Sequence, residues 1–205
     1  TCALPIYQEV VQDFTDLTGP DAYVSFLLKV TSAPTNAAGS TQIVGFREGT
    51  TGTNIRGNVS LVRSVTAGKF AIAISHWSTN FGNMAKTGDL DVGTTYFIVL
   101  RTSQGVPSLT KLYVNPVPGA SEPVAPTVSY STTNDTDWAG GVVLSAIFMR
   151  QRRFAGAFTC DIDALRAADN WTDVTPTAVA TADDPNLSVA SSFNVGSAVQ
   201  SSSVD

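Results

Sequence analysis

Hydrophobic and polar residues alternate with a period of two along most of the chain. In AYVSFLLKV (22 to 30), Val24, Phe26, Leu28 and Val30 fall on one side, and Tyr23, Ser25, Leu27 and Lys29 on the other. Similar runs are TQIVGFRE (41 to 48), GNVSLVRSV (57 to 65), KFAIAIS (69 to 75), TTYFIVLRTS (94 to 103), LTKLYVN (109 to 115), VVLSAIFMRQ (142 to 151) and AFTCDIDALRA (157 to 167). Successive side chains of a strand point to opposite faces, so this period predicts strands with one face on a core. No segment longer than a turn or two carries a 3.6-residue apolar period. Turn formers separate the runs: TNAAGS, EGTTGTN, TAG, KTGDLDVG, SQGVPS and the proline-rich NPVPGASEPVAPT. One open sheet of so many strands would leave a face and its edges uncovered, so the expected fold is all-β, a jelly-roll β-sandwich.

The stretch DIDALRAADNWTDVTP (161 to 176) alternates, reaches Trp171 and stops at Pro176. It closes a domain expected over 20–176, with 1–19 as an N-terminal segment packed on the sandwich. TAVATADDP (177 to 185) is small and polar and reads as a linker. Residues 186–205 alternate again, either as the start of a following β module or as an extension that docks. A segment this short cannot build its own core, which points to a piece of a longer, multidomain protein.

Composition narrows the partners. Charged residues make up 14% of the 205, well below the roughly 25% usual for soluble domains, and the net charge is -5. Such a surface offers no basic footprint for nucleic acid or anionic lipid. No apolar run approaches the ~20 residues that span a bilayer, so no membrane insertion is expected. The start TCALPIYQEV lacks the features of a signal peptide, so an exported protein would already have lost its own. The Thr, Ser, Ala, Val and Gly content is that of a secreted β-protein, placed outside the cell or on its surface. Cys2 and Cys160 are too far apart in sequence for a zinc knuckle or a CxxC redox motif. They read as a disulfide joining the first and last segments, or else as a buried Cys160 thiol beside an unrelated Cys2.

The order YVSFLLKV, FAIAIS, DLDVGTTYFIVLR, KLYVNPVPGASEP, IFMRQ and DIDALRAADNWTDVTP resembles the concanavalin A-like lectin/glucanase superfamily, in particular laminin-G-like modules of large secreted bacterial surface proteins. Tyr96, Asn115, Pro116, Asp163, Arg166 and Trp171 occupy the places of its strand signatures. The resemblance covers about residues 20 to 176. It implies a curved pair of antiparallel sheets whose concave face, in many relatives, cradles a glycan or carries out glycoside chemistry. It also implies a place for a structural Ca²⁺, with Asp163 as the matching ligand position. Most of the other oxygen ligands such an ion needs would be carbonyls.

Glycoside hydrolysis needs two carboxyl groups flanking the scissile bond, about 5 to 9.5 Å apart. The related glucanases present them as E-x-D-x-(x)-E on one strand. Glu9, Glu48 and Glu122 stand isolated here, and the nearest repeats, Asp89/Asp91, Asp135/Asp137 and Asp161/Asp163, sit in turns or on the closing strand. His76, the single histidine, has no second His for a metal and no nucleophile elbow nearby. The chain is therefore read as no enzyme. His76 and Trp77 could form a sugar platform, an aromatic face stacking on a pyranose; the plainer reading is a rim histidine packed on an indole. Trp138 lies in a long polar loop, as a ligand contact or as a pin for that loop. Arg150 and Arg152, with Arg153, could fork onto a uronate or sulfate, or form a solvated turn. Trp171 is expected to anchor the chain end on the core.

Three functions follow. The first is a non-catalytic lectin-like module that binds glycan or mediates adhesion. The second is a structural module of a surface fibre or secretion substrate, whose partner is a neighbouring protein chain or domain. The third is a hydrolase or lyase with an unrecognised carboxylate pair.

Overall fold

Each alternating run becomes a strand, and the strands form two antiparallel sheets packed face to face as a jelly-roll β-sandwich. The structure is a computed structural model that describes residues 8–17, 19–35, 40–48, 55–76, 84–105, 107–132, 143–151, 158–177 and 193–194. In chain order its elements are β1 (Gln8–Leu17), β2 (Asp21–Ser32), β3 (Ser40–Arg47), β4 (Ile55–Arg63), β5 (Lys69–Ser75), β6 (Ala85–Lys86), β7 (Leu90–Asp91), β8 (Thr95–Ser103), β9 (Ser108–Val114), β10 (Val128–Thr132), β11 (Leu144–Gln151), β12 (Thr159–Ala168), α1 (Trp171–Val174) and β13 (Phe193–Asn194). Sheet A runs β1-β11-β3-β4-β5-β6, with β7 also on β5. Sheet B runs β10-β9-β8-β2-β12-β13.

The core lies between the sheets. Val24, Phe26, Leu28 and Val30 of β2 are fully buried on the side the alternation predicts. They meet Phe46, Val59, Leu61, Phe70, Ile72 and Ile74 of sheet A in one cluster. Burying each such side chain stabilises the fold by about 1.5–3 kcal/mol. The N-terminal segment is itself a strand of sheet A, with Val10 opposite Met149 and Val11 opposite Phe148 of β11. In the tail, β13 pairs with β12 at Ile162 and Asp161.

Cys160 belongs to this core. It is 0% exposed and a free thiol, so the expected Cys2–Cys160 disulfide gives way to the alternative of a buried thiol. The physical reason is its direction. Cys160 shares the inward face of β12 with Ile162, among apolar side chains. Cys2 lies outside the described residues.

Three of the register shifts set what the faces around the site carry. In β3, Gln42 pairs with Ser60 but Val44 pairs with Val59, so Ile43 is an extra residue. In β4, Asn58 pairs with Gly45 and Arg56 with Phe46, so Gly57 is extra. Its φ of 71° suits glycine, and a Cβ there would sit 2.8 Å from Thr102 Cβ of the facing sheet. In β12, Asp163 pairs with Leu27 and Arg166 with Ser25 across a left-handed Ala164. That bulge moves the core parity from Cys160 and Ile162 to Leu165 and Ala167.

The outer face of sheet B is covered by the loop after β9 and by α1. Asn115, at φ 53°, starts the loop, and its Oδ1 accepts from Phe97 N at 2.8 Å. Trp171 is 7% exposed, packs edge-on against Tyr113 and Tyr23, and donates Nε1–H to Ala120 O at 2.8 Å. It anchors the chain end as expected. Glu122 of the same loop accepts from Tyr23 Oη at 3.0 Å, from Tyr113 Oη, and from Arg101 Nη1 at 2.8 Å. Arg101 forks back onto Asp21, Nε to Oδ1 at 3.1 Å and Nη2 to Oδ2 at 2.9 Å. Burial alone would raise the Glu122 carboxyl, but the bonds from Tyr113 and Arg101 outweigh it and hold the carboxyl below its usual value.

The stability that Glu122 contributes is therefore present above the unfolded glutamate pKa and lost as pH falls through the lower folded value. Glu122→Gln is expected to lose about 1.5–3 kcal/mol at neutral pH, the typical worth of hydrogen bonds to a charged group. Urea unfolding at pH 7 and pH 3 measures this. An equal deficit at both pH values would show that the carboxylate charge is not what holds the loop.

Candidate functional site

Two groups of polar side chains lie in the sandwich. The first closes one end between the sheets. On β5, Phe70, Ile72 and Ile74 point inward, and the same parity carries His76 inward at 1% exposure. Its Nδ1 is 3.5 Å from Thr102 Oγ1, and Gly57 N donates to His76 O at 2.6 Å. The β4 bulge brings Arg56, also 1% exposed, to the same side, where it pairs with Glu48. Desolvation, and then the Arg56 charge, lower the His76 pKa to about 4. His76 is thus an interior, neutral histidine, and its expected role in a surface sugar platform is corrected. The parity of KFAIAISH already carried that signal.

The second group is the outer face of sheet A. The pleat that turns Val59 and Leu61 inward turns Asn58 and Ser60 outward, beside Gln42 of β3 and Ser75 of β5. Asn58 Nδ2 donates to Ser75 Oγ at 2.9 Å, and Ser60 Oγ donates to Asn58 Oδ1 at 3.2 Å. Next along the sheet, Phe148 of β11 stands opposite Gly45, where a Cβ would come 2.7 Å from its ring. The Arg150 guanidinium lies 4.5 Å and that of Arg47 5.7 Å from the Phe148 ring centroid, attracted by the ring's negative face. Glu9 of β1 joins them, Oε1 at 2.8 Å from Arg47 Nη1 and Oε2 at 3.9 Å from Arg150 Nη1. Arg150, Asn58, Ser60 and Ser75 are 3% exposed or less, so this face is shielded from bulk solvent.

Among the predicted site residues that the structure describes, Arg150 alone falls on this face, and it sits in a buried strand position rather than a solvated turn. Trp77, Trp138 and Arg152 lie outside the described residues. Asp163 is exposed at the β12 bulge, where its Oδ1 accepts from Ala164 N at 2.7 Å. Among the described residues no group of three His, Cys, Asp or Glu side chains gathers there to hold a metal ion. Glu9, Gln42, Arg47, Asn58, Ser60 and Ser75 were not singled out from sequence. Their shared parity opposite apolar neighbours is the signal that finds them. No described helix is long and apolar enough to cross a membrane.

No family model and no curated protein matches the chain. Solved structures are similar in fold. The alginate lyase AlyA1 of Zobellia galactanivorans aligns at 12% identity and a TM-score of 0.47, over 74% of this chain and 63% of that one. This chain thus spans less than two thirds of the length of AlyA1. The homodimeric agglutinin CG-16 from chicken liver aligns at 12% identity and 0.42, over 78% and 100%. A doubly substituted form of the family 7 alginate lyase A1-II', in complex with its substrate, aligns at 10% identity and 0.47, over 82% and 72%.

The depressed His76 pKa predicts acid sensitivity in a defined window. The unfolded chain takes up the proton near the ordinary histidine value of 6.5 and the folded protein only near 4. Stability should therefore be full above 6.5 and fall by up to about 1.4 kcal/mol per pH unit between these values. Urea titrations at pH 7, 6 and 5 should show this slope, and His76→Gln should flatten it. A slope unchanged in the variant would assign the acid sensitivity to other groups.

Proposed function

We propose that the protein is a non-catalytic, lectin-like module that binds glycan on the outer face of sheet A, within a secreted, multidomain bacterial surface protein. The laminin-G-like resemblance of its strand signatures is part of this reading. One observation carries it: the outer face of sheet A buries amides, hydroxyls and guanidinium groups where a face used only for packing would bury apolar side chains. Sugars are held by such convergent donors and acceptors set among apolar neighbours. Glu9, the carboxylate beside the two guanidinium groups of that face, is already engaged by Arg47, whereas glycoside hydrolysis requires two carboxyl groups available to flank the bond. This supports binding rather than turnover.

The shielding of the row also has a consequence for affinity. A ligand reaches it only in molecules whose face has opened, which weakens the apparent affinity by the open fraction. The same shielding favours a second reading, a structural module whose buried polar face belongs to its assembly with a neighbouring chain or domain.

A glycan-array screen of the full chain, with and without Ca²⁺, tests both readings, followed by calorimetry on Asn58→Ala and Ser75→Ala. Selective binding weakened about tenfold in either variant, roughly 1.4 kcal/mol, supports the glycan site. Silence across the array from a folded protein would overturn it in favour of the structural module.

A further inference from the structure

Gln42 stands apart within the polar row. It is 3% exposed, and neither its Nε2 nor its Oε1 has a hydrogen-bond partner among the described residues. Its directly paired neighbour, Ser60, gives its hydroxyl to Asn58, and Asn58 gives its amide to Ser75. A buried amide without partners is unfavourable, and a methionine of similar length would fill the same place without that penalty. An unanswered polar group in a strand otherwise rich in Ile, Val and Phe therefore asks for a ligand.

The shape of the amide says which. Its Nε2–H donor and Oε1 acceptor lie side by side in one plane. A carboxylate offers only acceptors and a guanidinium only donors, so each would leave half of the amide unanswered. A trans secondary amide presents its N–H and C=O on opposite edges. Two adjacent hydroxyls of a pyranose in gauche relation answer both halves, one donating to Oε1 and the other accepting from Nε2. We propose that Gln42 is the specificity-determining residue of the glycan site and reads a vicinal pair of hydroxyls on a neutral sugar ring. The inference rests on the glycan-binding reading above.

The test uses the full chain, Gln42→Met and Gln42→Glu. The probes are the methyl glycosides of glucose, galactose and mannose, with their monodeoxy derivatives, titrated by calorimetry or NMR. Without ligand, Gln42→Met should melt about 2–4 °C higher, the shift that loss of a modest penalty gives in a domain of this size. It should bind the preferred glycoside about ten- to a hundredfold more weakly, and Gln42→Glu, which lacks the donor, should also lose affinity. Deleting either hydroxyl of the pair should weaken binding about tenfold in the parent and leave Gln42→Met unchanged.

A lower melting point in Gln42→Met would show that the amide is already satisfied, and the inference would fall. Undiminished binding by Gln42→Met, with the parent binding well, would overturn the inference and leave the glycan site standing. A parent that binds no glycoside and no array glycan would remove both.

Discussion

Side chains of a paired strand change faces only where one strand takes up an extra residue, because the side-chain period is two and pairing is continuous. Here that constraint decides the chemistry of the molecule. Ile43 and Gly57 are extra residues on neighbouring strands of sheet A, on either side of the Gly45–Asn58 pair. Gly57 lets Arg56 turn inward toward His76 while Asn58 and Ser60 stay outward. At Ala164, the third shift re-aims β12 so that Leu165 and Ala167 continue the core after Cys160 and Ile162. Without it, Arg166 would trade faces with Leu165.

The two outer faces show how differently one architecture can be finished. On sheet B, a loop and one turn of helix close over the strands. Glu122 gathers two phenols and a guanidinium, and Trp171 fills the space beside them. Donors and acceptors answer one another there, which is the pattern of a structural cover. On sheet A, Asn58, Ser60 and Ser75 bond to one another and Glu9 pairs with Arg47 and Arg150, yet among the described residues neither polar atom of the Gln42 amide is matched. Buried amides are rarely left so in native proteins, and the exceptions concentrate at sites that do something besides fold.

Much of the architecture was legible because burial imposes a period on the sequence. The four inward residues of β2 follow from alternation alone, as does the extent of β5, and Trp171 could be placed as the closing anchor. β1 was harder, since QEVVQDFTDL mixes carboxylates into both parities and pairs at an edge, where burial demands little. The sites were least legible. Glu122 meets Tyr23 across 99 residues of sequence, and Glu9 meets Arg47 and Arg150 only once β11 lies between β1 and β3. His76 was misplaced for another reason: its neighbour Trp77 suggested a surface, while its own parity with Ile72 and Ile74 assigned it to the interior.

The buried thiol makes the sandwich its own reporter. Burial, and then the neighbouring Asp161 charge, push the Cys160 pKa up to about 12, so at neutral pH almost none of it is the reactive thiolate. Alkylation at this position must wait for β12 to part from the core. The rate at which the peptide carrying Cys160 is modified therefore tracks the opening equilibrium of the two sheets, with no label added to the chain.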